Sequence, residues 1–231
     1  MKARHALVTT AIVFGMGLAS ASANAATIAD WTFESTAPTT AGPLAADIGS
    51  GAALGHHSGS STYSSPVGNG SSHSFSSTAW SVGDYYQFQV STAGLANLAV
   101  SWDQTSSNTG PRDFLFEYST DGSNFQSLFD YSVPANASPN AWSSNPAAYV
   151  ALATNTQDLS SVVALNNQAS VYFRLVDEDT TAANGLPVAS GGTDRVDNFT
   201  VTASPVPLPA ALWLLASGLF GLGAVRKRAA A

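Results

Sequence analysis

From residue 84 to residue 90 the chain alternates, with Tyr86, Phe88 and Val90 on one side and Tyr85, Gln87 and Gln89 on the other. Successive side chains of an extended strand point to opposite faces, so this pattern predicts a strand with one face buried. Leu98, Val100 and Trp102 repeat the period within residues 95–103. Residues 113–119 and 124–131 read as two strands joined at Asp121-Gly122, a hairpin turn in which glycine supplies the positive φ. Residues 26–34, 147–153, 169–176 and 195–203 also read as strands, with shorter ones near 52–54 and 72–75. In the last, Val196, Asn198, Thr200 and Thr202 alternate against Asp197, Phe199, Val201 and Ala203. Residues 35–83 are rich in Ser, Gly, Thr and Pro and are expected to be mostly irregular. About nine short strands, with nothing more helical than a turn at 158–162, predict an all-β, two-sheet antiparallel β-sandwich.

The two ends carry a different pattern. Lys2, Arg4 and His5 precede an apolar stretch from Ala6 to Leu18, and Ala23-Asn24-Ala25 fits a small-residue cleavage site. Residues 1–25 therefore read as a signal peptide, a retained anchor being the alternative. The sandwich is expected over residues 26–203. At the C-terminus, a proline-rich spacer leads into Ala210 to Val225, 16 residues without a charge, and then Arg226, Lys227 and Arg228. A helix of that length spans ~24 Å against a bilayer core of ~30 Å, so it crosses with help from flanking apolar residues or local thinning. The three cations are expected to stay cytoplasmic, which places the preceding chain outside.

The tail, residues 204–231, resembles the C-terminal sorting signal of PEP-CTERM proteins. The residues that carry the likeness are Val206, Pro207, Leu208 and Pro209, the apolar run, and Arg226-Lys227-Arg228. Leu208 stands where that family's motif has Glu. The resemblance implies sorting and cleavage by an exosortase at the inner membrane, in bacteria that make exopolysaccharide.

With both ends set aside, three arginines (Arg112, Arg174 and Arg195) face all 15 acidic side chains, a net charge of −12. Such a body is unsuited to nucleic acid, whose phosphates need cations, and it leaves carboxylates available for calcium. Cysteine is absent, so a thiol nucleophile and a Cys-ligated zinc site are excluded. A body of this length buries enough core to do without disulfides.

Trp31-Thr32-Phe33-Glu34 near the start and Asp194-Arg195-Val196-Asp197-Asn198-Phe199 near the end resemble the first and last strands of carbohydrate-binding-module-like jelly rolls, as does the Tyr118–Gly122 hairpin. In such domains those strands lie side by side and often hold a structural Ca²⁺. The resemblance implies Glu34 and Asp197 as ligands, with Asp30 and Asp194 next. The alternative is strand-end carboxylates bonded to backbone or paired with Arg195. It also implies a glycan site built on exposed aromatics, for which Trp80, Tyr85, Trp102 and Trp142 are the candidates, against a plain core role for each. Catalysis is poorly supported. His56, His57 and His73 fall in the low-complexity region, and adjacent histidines on a strand face opposite ways. Asp177-Glu178-Asp179 reads as a solvated loop more readily than as the paired carboxylates of a glycosidase. The expectation is an exported, non-catalytic surface or matrix protein that engages glycan. A polysaccharide hydrolase and a purely structural surface protein are the alternatives.

Overall fold

The computed structural model describes residues 24–206; most of the expected signal peptide (1–23) and of the expected sorting tail (207–231) lie outside the described residues. In chain order the strands are β1 Ala26–Trp31, β2 Leu44–Ala45, β3 Ile48–Gly49, β4 Gly51–His56, β5 Tyr63–Ser64, β6 Phe75–Thr78, β7 Tyr85–Val90, β8 Leu95–Ser106, β9 Asp113–Ser119, β10 Gln126–Ser132, β11 Thr154–Asp158, β12 Val171–Asp177 and β13 Thr193–Pro205. They form two antiparallel sheets. The first has the order β11-β8-β13-β1-β3, with the β5–β6 hairpin joined to β13 through β6. The second has the order β10-β9-β12-β7-β4-β2. The predicted sandwich is present. Among the described residues no helix is long and apolar enough to cross a membrane.

The core lies between the sheets and is strongly aromatic. Phe88 of one sheet stacks on Phe199 of the other at 3.6 Å, and Trp31 meets both rings edge-on at 5.2 and 6.0 Å. Trp102 lies parallel to Phe116 at 4.9 Å. Offset and edge-to-face pairs of this kind add to the stabilisation from burial alone.

Strict alternation along β13 is interrupted. Asn198 takes a φ of +51°, and the register with β8 shifts between Asp197 and Thr200. This β-bulge lets Val196 and Phe199 both face the core, both fully buried, although they are three residues apart. The simple alternation had set Val196 with Asn198, Thr200 and Thr202; the bulge joins it instead to Phe199, Val201 and Ala203.

Other boundaries also move. β1 ends at Trp31 rather than continuing to Glu34, because Phe33 adopts a φ of +58°. Asp47 holds that turn by accepting the Phe33 N–H at 2.7 Å and the Ser35 N–H at 3.0 Å. Residues 147–153 are not a strand. Two short 3₁₀ helices, Pro146–Ala148 and Ala151–Ala153, occupy them, and the strand follows as β11. Pro146 at the first helical position and the Asn145 side chain, which accepts the Ala147 N–H at 3.0 Å, account for the start. The chain leaves the sandwich at Val206, whose N–H donates to the Gly94 carbonyl at 2.9 Å.

Phe199 joins both sheets, so Phe199→Ala is expected to lower the unfolding free energy by about 3–5 kcal/mol in urea denaturation, at the upper end for a cavity that rigid strands cannot collapse.

Candidate functional site

The outward side of the second sheet is organised in rows set by strand register. Leu54, Gln87, Arg174 and Glu117 lie side by side across β4, β7, β12 and β9. On one side runs the row Ala52, Gln89, Tyr172 and Ser119; on the other runs His56, Tyr85, Val176 and Leu115. Alternation sends Tyr86, Phe88, Phe173 and Leu175 inward and leaves these neighbours facing out.

Arg174 is the centre of the face. Its guanidinium carbon lies 3.8 Å from the Tyr85 ring centre and 3.5 Å from that of Phe125, which reaches in from the β9–β10 hairpin. Its Nε donates to Gln87 Oε1 at 2.8 Å and its Nη2 to the Tyr85 hydroxyl at 3.1 Å, with Glu117 at 3.6 Å. Burial pushes the Glu117 carboxyl up, and Arg174 opposes this. Gln89 Nε2 donates to the Tyr172 hydroxyl at 3.2 Å. Gly122 in the hairpin lies against Tyr172; a Cβ there would come within 3.0 Å of the ring, and its φ of +74° also requires glycine. The face thus offers aromatic surface beside fixed amide, hydroxyl and guanidinium groups.

Of the four aromatic candidates, only Tyr85 lies on this half-exposed face. Trp102 is 0 % exposed within the core, its Nε1 donating to Gln104 Oε1 at 3.2 Å. Trp80 is buried against Tyr86 and Phe114, its Nε1 donating to the Ser77 carbonyl at 3.0 Å. Trp142 is buried with Val150 and Ala153 in a small second cluster. The last three therefore present no open ring to a ligand. Arg174, Phe125, Gln87, Glu117 and Tyr172 were not singled out from the sequence. The alternation that exposes Tyr85 also exposes Gln87 and Gln89, and the same period in β12 exposes Tyr172 and Arg174.

The four candidate calcium carboxylates are only partly brought together. Glu34 Oε1 accepts the His73 N–H at 2.7 Å, and Asp197 Oδ2 accepts the Asn69 N–H at 2.9 Å and the Ser71 hydroxyl at 2.7 Å, so both close on one loop. Beside Gly68 of that loop, Asp197 Oδ2, Ser71 Oγ and the His73 carbonyl crowd the space a Cβ would take. Burial pushes Asp197 up to about 7 against these donors. Asp30 instead accepts from Thr200 Oγ1 at 2.9 Å. Asp194 points into the core. Gln104 Nε2 donates to its Oδ1 at 3.0 Å, and its Oδ2 lies 2.9 Å from Ser106 Oγ, which is itself 2.5 Å from the Pro111 carbonyl. A hydroxyl has one hydrogen, so both Ser106 contacts are satisfied when Asp194 is protonated. Burial, which raises Asp194 well above the usual range, agrees. Bonded inward to Gln104 and Ser106, Asp194 shares no contact with Glu34 or Asp197 and stands apart from them. Among the described residues no three acidic or histidine side chains gather as a metal site.

His57 does not lie in an open loop. Its Nδ1 is 2.9 Å from Asp84 Oδ2 and its Nε2 is 3.0 Å from Ser77 Oγ. This is the order of a hydrolytic Ser–His–Asp array, but Ser77 and Asp84 are both 0 % exposed, so no substrate reaches the hydroxyl in this conformation. Burial holds His57 below its ordinary value, against the pull of Asp84. Nearby, Asp177 is buried with neither carboxyl oxygen hydrogen-bonded.

No family model matches the chain, and no curated protein matches it. Solved structures do. The K2 cleaved adhesin domain of Lys-gingipain aligns at a TM-score of 0.44 and 14 % identity, over 77 % of this chain and 97 % of that one. The CBM22-2 xylan-binding domain from Paenibacillus barcinonensis Xyn10C aligns at 0.45 and 9 %, over 76 % and 98 %. TmCBM61 in complex with β-1,4-galactotriose aligns at 0.40 and 8 %, over 74 % and 92 %. These likenesses concern β-sandwich architecture; no residue and no ligand is carried across from them.

Burial raises Asp177 from 3.8 to about 7, and the Asp84 carboxylate adds to the effect. A folded value above the unfolded one gives stability that is present below about pH 4 and lost as pH rises through about 7. Asp177→Asn is therefore expected to melt higher than the wild type at pH 8, with the difference shrinking towards pH 4 in thermal denaturation.

Proposed function

We propose that this chain is an exported, non-catalytic protein of the cell surface or extracellular matrix, and that its sandwich binds polysaccharide across the outer face of the second sheet. The observation that carries this reading is Arg174 held between Tyr85 and Phe125, amid rows of amide and hydroxyl groups. A sugar ring has an apolar face and a rim of hydroxyls, and it is matched by aromatic surface beside convergent polar groups. The buried Ser77 hydroxyl favours binding over hydrolysis.

The tail belongs to the same proposal: sorting by an exosortase at the inner membrane, on the strength of Val206, Pro207, Leu208, Pro209 and Arg226-Lys227-Arg228. A structural Ca²⁺ is proposed at Glu34 and Asp197, supported by the oxygens crowded beside Gly68. Hard cations of this kind take carboxylate and carbonyl oxygen.

A glycan array with the full chain in mild detergent, run in Ca²⁺ and in chelator, tests the binding reading. Wild type is expected to be retained, with Tyr85→Ala and Arg174→Ala each weakening retention by about tenfold, and chelator lowering the melting midpoint. Retention of nothing overturns the glycan reading, and an unchanged midpoint overturns the calcium. Deleting the residues after Val206 is expected to abolish surface attachment of a tagged protein in exosortase-bearing cells; attachment without them overturns the sorting reading.

A further inference from the structure

His56 and His57 are neighbours that face opposite sides of the sheet. His56 ends β4, is exposed, and stacks on Tyr85 with ring centres 4.8 Å apart and planes at 21°. The two residues are also paired in register, so they form the last rung between β4 and β7. Strand ends are where local opening costs least. What holds this rung lies inside. The His57 side chain is 1 % exposed and bonds Asp84, the residue immediately before Tyr85. Asp84 Oδ1 accepts the Ser58 N–H at 2.7 Å and Oδ2 accepts the Ser81 N–H at 2.8 Å. His57 Nε2 meets Ser77 Oγ on β6, which ties the end of β4 to the opposite sheet. Trp80 closes over the imidazole at 4.7 Å, edge to face. One buried carboxylate beside Tyr85 thus fixes the two residues that follow His56.

We propose that His57 and Asp84 are positioning residues for the outer face: they set the His56–Tyr85 stack and, through Tyr85, the guanidinium of Arg174. This rests on the reading of that face as a glycan site. Neither residue touches the ligand. Their effect passes through one strand rung, whose outer side is the platform and whose inner side is the tie. The Ser77–His57–Asp84 array then has a role that requires burial: water is kept from the bonds that hold the rung, where they are worth more than at the surface.

The test uses the full chain labelled with fluorotyrosine, with the Tyr85 signal assigned from Tyr85→Phe. His57→Ala is expected to move the Tyr85 ¹⁹F signal towards that of a free tyrosine and to weaken glycan retention by about tenfold. His57→Asn, whose amide N–H reaches Asp84 as Nδ1–H does, is expected to restore both while the melting midpoint stays near that of the wild type. A folded His57→Ala with an unmoved Tyr85 signal overturns the proposal, as does a moved signal with full retention. If His57→Ala does not fold, warming the wild type decides the matter. The Ser58 amide, held by Asp84, and the Tyr85 ring are expected to loosen together, and a Tyr85 ring that loosens while the Ser58 amide stays protected from exchange overturns the proposal. If wild type binds no glycan on the array, the binding reading fails, while the fluorine signal still reports whether His57 sets Tyr85.

Discussion

One extra residue in β13 controls how the two sheets meet. The strand runs beside β8 along most of its length, with β6 and then β1 on its other side. A regular strand with this sequence would point either Val196 or Phe199 at solvent. The bulge at Asn198 turns both inward, and Phe199 then meets Phe88 and Phe173 across the core and Trp31 and Trp102 on the neighbouring strands of its own sheet. The same bulge turns Asp197 outward, where it binds the 69–71 segment, while Asn198 Nδ2 donates to Asp103 Oδ2 at 2.8 Å. Asn69 continues the chain of contacts to Val150, exchanging bonds of 2.7 and 3.1 Å. The loops over the first sheet are thereby held by polar side chains, which is how a Ser- and Gly-rich region becomes ordered without a core of its own.

The second sheet is built the other way. Its inner side carries aromatic residues, and its outer side keeps amides, tyrosines and a single guanidinium half-exposed. Arg174 is held by a ring on each side, an amide, a hydroxyl and a carboxylate, so its side chain is ordered before any ligand arrives. Groups fixed in advance lose less entropy on binding than mobile ones. The other two arginines of the body have simpler partners: Arg112 pairs with Asp113, and Arg195 donates to the Val67 carbonyl at 2.9 Å.

Much of this was readable in the sequence where period two was clean. The alternation of β7 identified both its buried and its outward residues. The same rule buried Trp102, which shares its side of β8 with Leu98 and Val100; its aromatic character had drawn it into the ligand set against that rule. Asp194 follows the same rule. Ahead of the bulge it shares the inward side with Val196, and only the bulge makes that side the one Phe199 also occupies. The His57–Asp84 tie and the Phe125–Arg174–Tyr85 stack were not readable, because each joins residues far apart in sequence through strand pairings that local pattern does not fix. Residues 147–153 have a strand-like composition, but Asn145-Pro146 starts a 3₁₀ turn there.

Ligand is proposed to meet the protein at the outer face of the second sheet. Amide chemical-shift mapping of the isotopically labelled full chain, titrated with a polysaccharide that it retains, tests this most directly. Shifts are expected to concentrate at His56, Tyr85, Gln87, Phe125, Tyr172 and Arg174. Shifts confined to the loops over the first sheet, or to the acidic groove formed by Asp113, Asp130, Glu178 and Asp179, would contradict it.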